Sequence, residues 1–283
     1  MARLETATMF YSRLLRMLCE EGAITNGDSV FVACGGDTDA RALAAVGIGG
    51  AVISNLDERR NDGIGSYDWL SADAENLPAA DDSYDWGIVH AGLHHCASPH
   101  RGLLELLRIA RKGVLVIEAR DSAVTRLAVR LGFTPDYELD SVALGAGGVR
   151  NTPVPNFIYR WTEREVWKTV ESARPEIANH IRFFYALSLP EERLSMHARP
   201  RQVAYRVAAA AVRLVVRVMP RQGNLFGFVV TPGPDKPWIA RDPGPILDPE
   251  FKLPFDPRGY VREEVGPSPG DDRAMPVTRR EPA

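Results

Sequence analysis

Short runs that are apolar at nearly every position recur through the first half of the chain. They span residues 29–32, 50–56, 85–89 and 113–118, and amphipathic segments with helical spacing separate them. Continuous apolar runs indicate strands buried on both faces, which is typical of parallel sheets covered by helices. The sequence therefore predicts an α/β domain built on an open, mostly parallel sheet.

Composition restricts the class of protein. The 283 residues are 45% hydrophobic and 25% charged, with a net charge of −3 and no dominant basic region. We therefore expect a cytoplasmic globular protein with no nucleic-acid partner. Its three cysteines are odd in number and lack metal-binding spacing, which suits a reducing compartment. No apolar run approaches the roughly 18 residues that would span a membrane.

The chain divides into three parts. Residues 1–25 are predicted to form an N-terminal capping helix, and 26–231 the main domain. Within that domain, 136–224 would supply a substrate-side loop and inserted helices. Twelve of the 21 prolines follow residue 231, so that 232–283 is predicted to be an extended or disordered tail.

One inserted helix, residues 203–219, is basic and amphipathic. Arg206, Arg213 and Arg217 fall on a stripe about 40° wide at 100° per residue. Such a helix can contact a membrane surface peripherally or cover a site for an anionic substrate. It can equally be the solvated face of an ordinary packed helix.

Candidate binding residues lie where predicted strands end. The turn Ala33–Asp37 follows the first strand, and Asp57 follows the second about twenty residues later, where an acid can bind a ribose diol. Asp57 or Asn55 could instead be a helix N-cap. The stretch Asp73–His95 combines an acidic loop, a turn, an apolar run and a histidine-bearing loop. Together these features indicate a nucleotide-like ligand.

The stretch Asp73–His95 resembles the D-A-x-x-L-P to L-H-H region of class I S-adenosylmethionine-dependent methyltransferases. It is most similar to the branch that includes ubiquinone and menaquinone C-methyltransferases, and the resemblance covers roughly residues 28–135. It implies a Rossmann-like seven-stranded mixed sheet of order 3-2-1-4-5-7-6, with helices on both faces and an antiparallel last strand.

The resemblance also implies roles for individual residues. S-adenosylmethionine would be the cofactor, with its ribose on Asp57 and its adenine edge on Asp73 and Ala74. Its methionine part would be bordered by His90 and wrapped by the turn that comprises Ala33, Cys34, Gly35, Gly36 and Asp37. The family's turn usually reads D/E-x-G-x-G-x-G, whereas this chain has Phe31, Ala33 and Asp37 at the acid and at the first and third glycines. Asp37 would meet the cofactor's ammonium group or act as a helix N-cap.

Methyl transfer is an in-line displacement that depends on alignment and exclusion of water. If the acceptor is a hydroxyl, His94 or His95 is the candidate general base, although histidines in this loop also serve as bracing groups. The substrate side would be formed by Glu118, Tyr159 and Trp161. No metal is expected, because no carboxylate set follows the fourth strand.

We therefore expect a methyltransferase acting on a small molecule or on a glycan- or lipid-linked acceptor. The alternative is a non-catalytic protein of the same fold that binds a partner or a membrane surface through residues 203–219. A nicotinamide-dependent reductase is disfavoured, since G-x-G-x-x-G is absent.

Overall fold

The computed structural model describes residues 3–145, 147–175, 177–189 and 199–236. These residues form one eight-stranded sheet of order β1-β7-β8-β6-β5-β2-β3-β4, in which only β8 is antiparallel to its neighbours. The strands are β1 (Arg3–Leu4), β2 (Val30–Ala33), β3 (Ala51–Asn55), β4 (Asp68–Ser71), β5 (Tyr84–His90), β6 (Ala110–Ala119), β7 (His180–Leu187) and β8 (Leu225–Thr231). Without β1, this is the predicted order 3-2-1-4-5-7-6.

The N-terminal segment is not helical throughout. Residues Arg3–Leu4 pair in parallel with Ala186 and Leu187 of β7 and add an eighth strand to the predicted seven. The helix α1 (Ala7–Glu20) then begins after Thr6, whose hydroxyl accepts a hydrogen bond from the Met9 backbone N–H at 3.2 Å. This N-cap satisfies one of the free N–H groups of the first turn.

Helices cover both faces of the sheet, as the apolar strands predicted. One core packs α1 and α2 against the sheet and includes Phe10, Leu14 and Leu43; the other includes Leu103 and Val166 of the opposite face. The remaining helices follow in chain order. They are α2 (Asp37–Ala45), α3 (Pro99–Ile109), α4 (Ala123–Arg130), α5 (Leu139–Ala143), α6 (Glu163–Ala173) and α7 (Arg199–Val218).

The sheet has a switch point between β2 and β5. Strand β2 pairs with β3 on one side and with β5 on the other, so that the loops after β2 and β5 diverge at the carboxyl edge. Open α/β sheets bind ligands in the crevice that forms at such a point.

The predicted inserted helix is α7, which lies between β7 and β8. No helix among the described residues is long and apolar enough to cross a bilayer. The predicted tail, 232–283, lies outside the described residues beyond position 236.

Candidate functional site

A cavity of about 250 Å³ opens at the switch point. Its lining comes from the loops that follow β2, β3, β4 and β5, together with the loop after α5. Every residue predicted to bind the cofactor lines it except Ala33, which is fully buried in β2. The predicted residues in its wall are Cys34, Gly35, Gly36, Asp37, Asp57, Asp73, Ala74 and His90.

The turn after β2 requires its central glycine. A Cβ on Gly35 would come within 2.8 Å of both Ile53 and Val32, so that a side chain there would displace the neighbouring strands. The preceding Cys34 has a φ of 54°, which places its backbone in the left-handed region. The turn is therefore tight even though Ala33 and Asp37 replace two of the family's glycines.

The structure separates the two expected roles of Asp37. Gly36 occupies the N-cap position of α2, and Asp37 is the first residue of the helix. The Asp37 carboxylate forms an ion pair with Arg41 at 2.8 Å and remains 46% exposed at the cavity wall. The N-cap role is therefore ruled out, whereas contact with a ligand's ammonium group stays a prediction.

Asp39 is a component of this turn that the sequence did not reveal. Its Oδ2 accepts a hydrogen bond from the Gly36 N–H at 3.0 Å, and the residue is only 5% exposed. Burial raises the pKa of this carboxyl to about 7. The sequence analysis singled out Asp37, at the start of α2, but Asp39 is the residue that accepts the internal hydrogen bond.

Asp57 lines the cavity and also caps a short 3₁₀ helix at Glu58–Asn61, so that the N-cap role is observed and ribose binding stays a prediction. Arg59 donates to both carboxylate oxygens at 2.7 Å, which lowers the pKa of Asp57. Asn55 supports the same corner, because its amide donates to the Gly35 carbonyl at 3.0 Å. A ribose on Asp57 would share the carboxylate with Arg59.

The acidic loop after β4 is fastened at two points. Asp73 accepts from the Glu75 N–H at 2.9 Å and pairs with Arg150 at 2.6 Å. The buried Glu75 carboxylate accepts from the Ala97 and Ser98 N–H groups at 2.8 and 2.9 Å. Glu75 therefore ties the loop predicted to read adenine to the loop that carries the histidines.

The two candidate catalytic histidines have different surroundings. His94 is 8% exposed, and its Nδ1 lies 2.7 Å from Glu118. Burial lowers the pKa of His94, but the charges and hydrogen bonds of Glu118 and Glu138 outweigh it and raise the pKa to about 10. His94 is thus a cation at neutral pH, fixed between two carboxylates, and it does not line the cavity.

His95 does line the cavity, and its side chain is 31% exposed. Burial and the neighbouring His94 charge lower the pKa of His95, so that its ring is neutral at pH 7. His90 is also neutral, because burial lowers its pKa to about 4. Its Nε2 is buried without a hydrogen-bond partner among the described residues, and its ring stacks on Tyr11 at 4.7 Å.

The structure places the predicted substrate-side residues away from this cavity. Glu118 has a fully buried side chain that accepts from the Gly92 and Leu93 N–H groups at 2.9 and 2.7 Å, in addition to His94. Trp161 is 0% exposed and belongs to the core. Glu118 therefore braces the histidine loop, whereas Trp161 is a core residue.

Tyr159 lines a separate cavity of about 370 Å³, where its hydroxyl donates to Glu165 at 2.5 Å. A third cavity of about 200 Å³ has a largely apolar lining. It lies beneath α7, where Tyr205, Ala209 and Val212 face Phe133 and Ala128.

Three potential metal ligands meet beside the main cavity. The ligand atoms of His94, His95 and Glu138 all lie within 4.8 Å of one another, the only such group found in the described part of the chain. Glu138 is 3.7 Å from His94 Nε2 and 3.5 Å from His95 Nε2. The His94 imidazolium lies between the Glu118 and Glu138 carboxylates, so that both acids already have a cationic partner without a metal. The absence of a metal stays a prediction.

Sequence reasoning placed the loop after α5 in the substrate-side segment 136–224 but named none of its residues as binding residues. Gly148, Arg150 and Asn151 line the cavity, and the Asn151 amide donates to the Leu56 carbonyl at 3.4 Å. The density of glycine and asparagine in this segment was the available signal. Both Arg150 and Asn151 have positive φ angles, 50° and 57°.

Comparison with known proteins finds similarity within the first half of the chain. Residues 31–117 match the model of a family described as "Methyltransferase domain". Over 119 residues the chain is 33% identical to a demethylmenaquinone methyltransferase of Clavibacter sepedonicus, which covers 40% of this chain and 47% of that protein. A second such protein, from Paenarthrobacter aurescens, is 24% identical over 120 residues, 36% of this chain and 46% of the relative. The chain thus spans about half the length of these relatives.

One solved structure reaches a TM-score of 0.50 at low identity, and another is less similar. The YcgJ protein from Bacillus subtilis has a TM-score of 0.50 at 10% identity, covering 78% of this chain and 98% of that one. A SAM-dependent methyltransferase from Aquifex aeolicus has a TM-score of 0.42 at 13% identity, covering 80% and 98%. Residues 31–117 are thus similar to a methyltransferase domain, and the sheet has the strand order of the class I S-adenosylmethionine-dependent methyltransferase fold.

Proposed function

We propose that the protein transfers a methyl group from S-adenosylmethionine to a small-molecule acceptor. The observation that carries this proposal is the cavity at the switch point, which gathers eight residues predicted separately from three stretches of sequence. The names of the relatives, which are demethylmenaquinone methyltransferases, favour a quinone-like or lipid-linked small molecule over a protein or nucleic acid.

The residues present fit the cofactor. The glycine turn and the first turn of α2 line the cavity, the carboxylates of Asp57 and Asp73 lie at the ends of β3 and β4, and the buried His90 Nε2 lacks a hydrogen-bond partner among the described residues. Asp57 would hold the ribose hydroxyls, while Asp73 and Ala74 would meet the adenine edge. When bound, S-adenosylmethionine supplies an electrophilic methyl carbon.

The loop that carries His94 and His95 would contact the methyl acceptor. His95 is neutral and faces the cavity, so it can accept the proton of an acceptor hydroxyl. His94 would act as a positioning residue, because Glu118 holds both its ring and the backbone of Gly92 and Leu93. No metal is needed for this arrangement, and methyl transfer should survive dialysis against a chelator.

Calorimetric titration with S-adenosylhomocysteine tests the proposal. We expect micromolar binding that Asp57→Ala weakens strongly, whereas Asp62→Ala, an exposed acid at the end of the same 3₁₀ helix, leaves it unchanged. Absence of binding at high micromolar ligand would refute cofactor use, and equal affinity in both variants would refute the role of Asp57.

A second candidate is a non-catalytic protein of this fold. It is favoured by the ion pairs that Arg59 and Arg150 make with Asp57 and Asp73, the two acids predicted to bind the cofactor. This candidate predicts no binding of S-adenosylhomocysteine even after Arg59→Gln frees the Asp57 carboxylate. Binding restored by that variant would instead show a masked cofactor site.

A further inference from the structure

The outer face of α7 is apolar and exposed. Val203, Val207, Leu214 and Val218 are 60%, 66%, 66% and 75% exposed, and they lie within about 60° of one another at 100° per residue. Single exposed apolar residues are ordinary, but a stripe along 16 consecutive positions of one helix marks an interaction surface. We call these four residues the outer stripe.

The opposite face of the helix packs on the body. Tyr205, Ala209, Val212 and Val216 are buried or half-buried, and the first three line the apolar cavity beneath the helix. This inner face is centred about 180° from the outer stripe. The outer stripe therefore plays no part in attaching α7 to the sheet.

A row of arginines flanks the outer stripe. Arg206, Arg213 and Arg217 are exposed and lie within about 40° of one another, about 90° around the helix from the stripe. The charge of this region is strongly one-sided. From Arg193 to Pro234 the sequence has seven arginines and no aspartate or glutamate, although the whole chain has a net charge of −3.

We propose that α7 lies on the surface of an anionic lipid bilayer. The outer stripe would enter the boundary between head groups and acyl chains, and the arginine row would contact lipid phosphates, the arrangement typical of interfacial amphipathic helices. A second copy of the chain fits less well. Two such faces would bring their arginine rows together with no acid from the same segment to pair with them.

Docking in this orientation has a geometric result. The inner face of α7 lines the apolar cavity of about 200 Å³, so that this cavity would lie within about one helix diameter, roughly 10 Å, of the lipid. The proposal goes beyond methyl transfer and does not depend on it.

Vesicle co-sedimentation of the full chain tests the charged part of this surface. We expect binding to phosphatidylcholine vesicles that contain phosphatidylglycerol, little binding to phosphatidylcholine alone, and weaker binding as salt is added. The combined variant Arg206→Gln, Arg213→Gln and Arg217→Gln should lower the affinity about 100-fold. A matched control changes three exposed arginines on α1, α3 and α6, Arg16, Arg101 and Arg164, to glutamine and should bind as the wild type does.

The apolar part needs its own variant. Val207→Glu with Leu214→Glu should abolish vesicle binding while circular dichroism shows an unchanged melting temperature, because both side chains point away from the body. Failure of the wild type to bind anionic vesicles, or an equal loss in the control triple variant, would overturn the proposal. So would a concentration-dependent dimer in sedimentation equilibrium that the glutamate variant dissociates. Titration with S-adenosylhomocysteine on the same samples reports cofactor binding separately.

Discussion

Asp39 is buried in the first turn of α2, beside the candidate cofactor site, and only one of its carboxylate oxygens accepts a hydrogen bond. Oδ2 accepts from the Gly36 N–H, whereas Oδ1 has no hydrogen-bond partner among the described residues. Burial without a compensating cation is the physical cause of its raised pKa, about 7. The folded protein therefore binds a proton at this position between pH 4 and pH 7 that the unfolded chain has released.

The raised pKa of Asp39 predicts that the stability of the protein falls as the pH rises. As the pH rises from about 4 to about 7, the free energy of unfolding should fall by up to about 4 kcal/mol for a pKa shift of this size. The Asp39→Asn variant should lack this pH dependence and should be more stable than the wild type at pH 8. Urea unfolding of both proteins at several pH values measures the difference, and parallel stability curves would contradict the prediction.

The two neighbouring histidines should respond differently to the same substitution. His95→Gln should lower kcat about 100-fold with little change in melting temperature, because His95 faces the cavity and can move a proton. The wild-type rate should rise with pH through a pKa below the ordinary value of about 6.5, since the neutral ring is the active form.

His94→Gln is the matched comparison. It removes the cation between two carboxylates and leaves the buried Glu118 charge unpaired, which should cost about 3 kcal/mol of folding free energy. Denaturant unfolding and steady-state kinetics on both variants separate the roles. A similar loss of stability in the His95 variant would contradict the distinction.

Sequence reasoning identified this histidine pair but could not rank its members. The ranking depends on Glu118 and Glu138, which lie 24 and 44 positions away along the chain and meet His94 only in the folded protein. Trp161 shows the same limit. Its position after a long loop suggested the substrate side, whereas the fold buries its ring between α3 and β8.

Among the elements, the loop after α5 is the one that closes the cavity. Arg150 reaches Asp73 on one side, and Asn151 reaches the Leu56 carbonyl on the other. The Arg150 side chain is 54% exposed, so that its ion pair with Asp73 holds the loop only weakly.

Arg150→Gln should therefore raise the dissociation constant of S-adenosylhomocysteine two- to five-fold, mainly through a faster off-rate, as expected for loss of a contact worth up to about 1 kcal/mol. Stopped-flow displacement measures that rate. Arg174→Gln, at the end of α6 and outside the cavity lining, serves as the control. An unchanged off-rate would show that the loop does not cover the ligand.

The regular elements were predictable because their signals are local. Apolar runs gave β2, β3, β5 and β6, and helical spacing gave α3 and α7. Strand β1 was missed, since two residues carry no periodicity and pair with β7 some 180 positions later. The path of the loop after α5 is likewise set by its distant contacts.

At the scale of the whole molecule, the carboxyl and amino ends of the strands carry different groups of residues. The carboxyl edge carries the cavity, and the amino edge carries a charge cluster in which the buried Asp85 and Asp28 share the half-exposed Lys112 at 3.1 and 2.5 Å. Burial raises the pKa of Asp85, but hydrogen bonds from Ser29 and Lys112 outweigh it and lower the pKa to about 2.

This cluster should stabilise the fold without affecting the site. The contribution of Asp85, about 2 kcal/mol, is present above pH 4 and is lost as the pH falls through about 2, since the unfolded carboxyl protonates first. Asp85→Asn should lower the urea midpoint at pH 7 and leave the affinity for S-adenosylhomocysteine unchanged. A variant that loses ligand affinity while keeping its stability would contradict this division.

The Glu75 carboxylate has a consequence for attempts to engineer the donor. Because it accepts hydrogen bonds from the Ala97 and Ser98 N–H groups, the loop predicted to read adenine and the loop that carries the histidines cannot shift independently. Room for a bulkier alkyl group on a sulfonium analogue cannot be made by enlarging the histidine loop alone. The hydrogen bonds to Glu75 set the distance between the two loops. A redesign would have to replace these hydrogen bonds before it could widen the pocket.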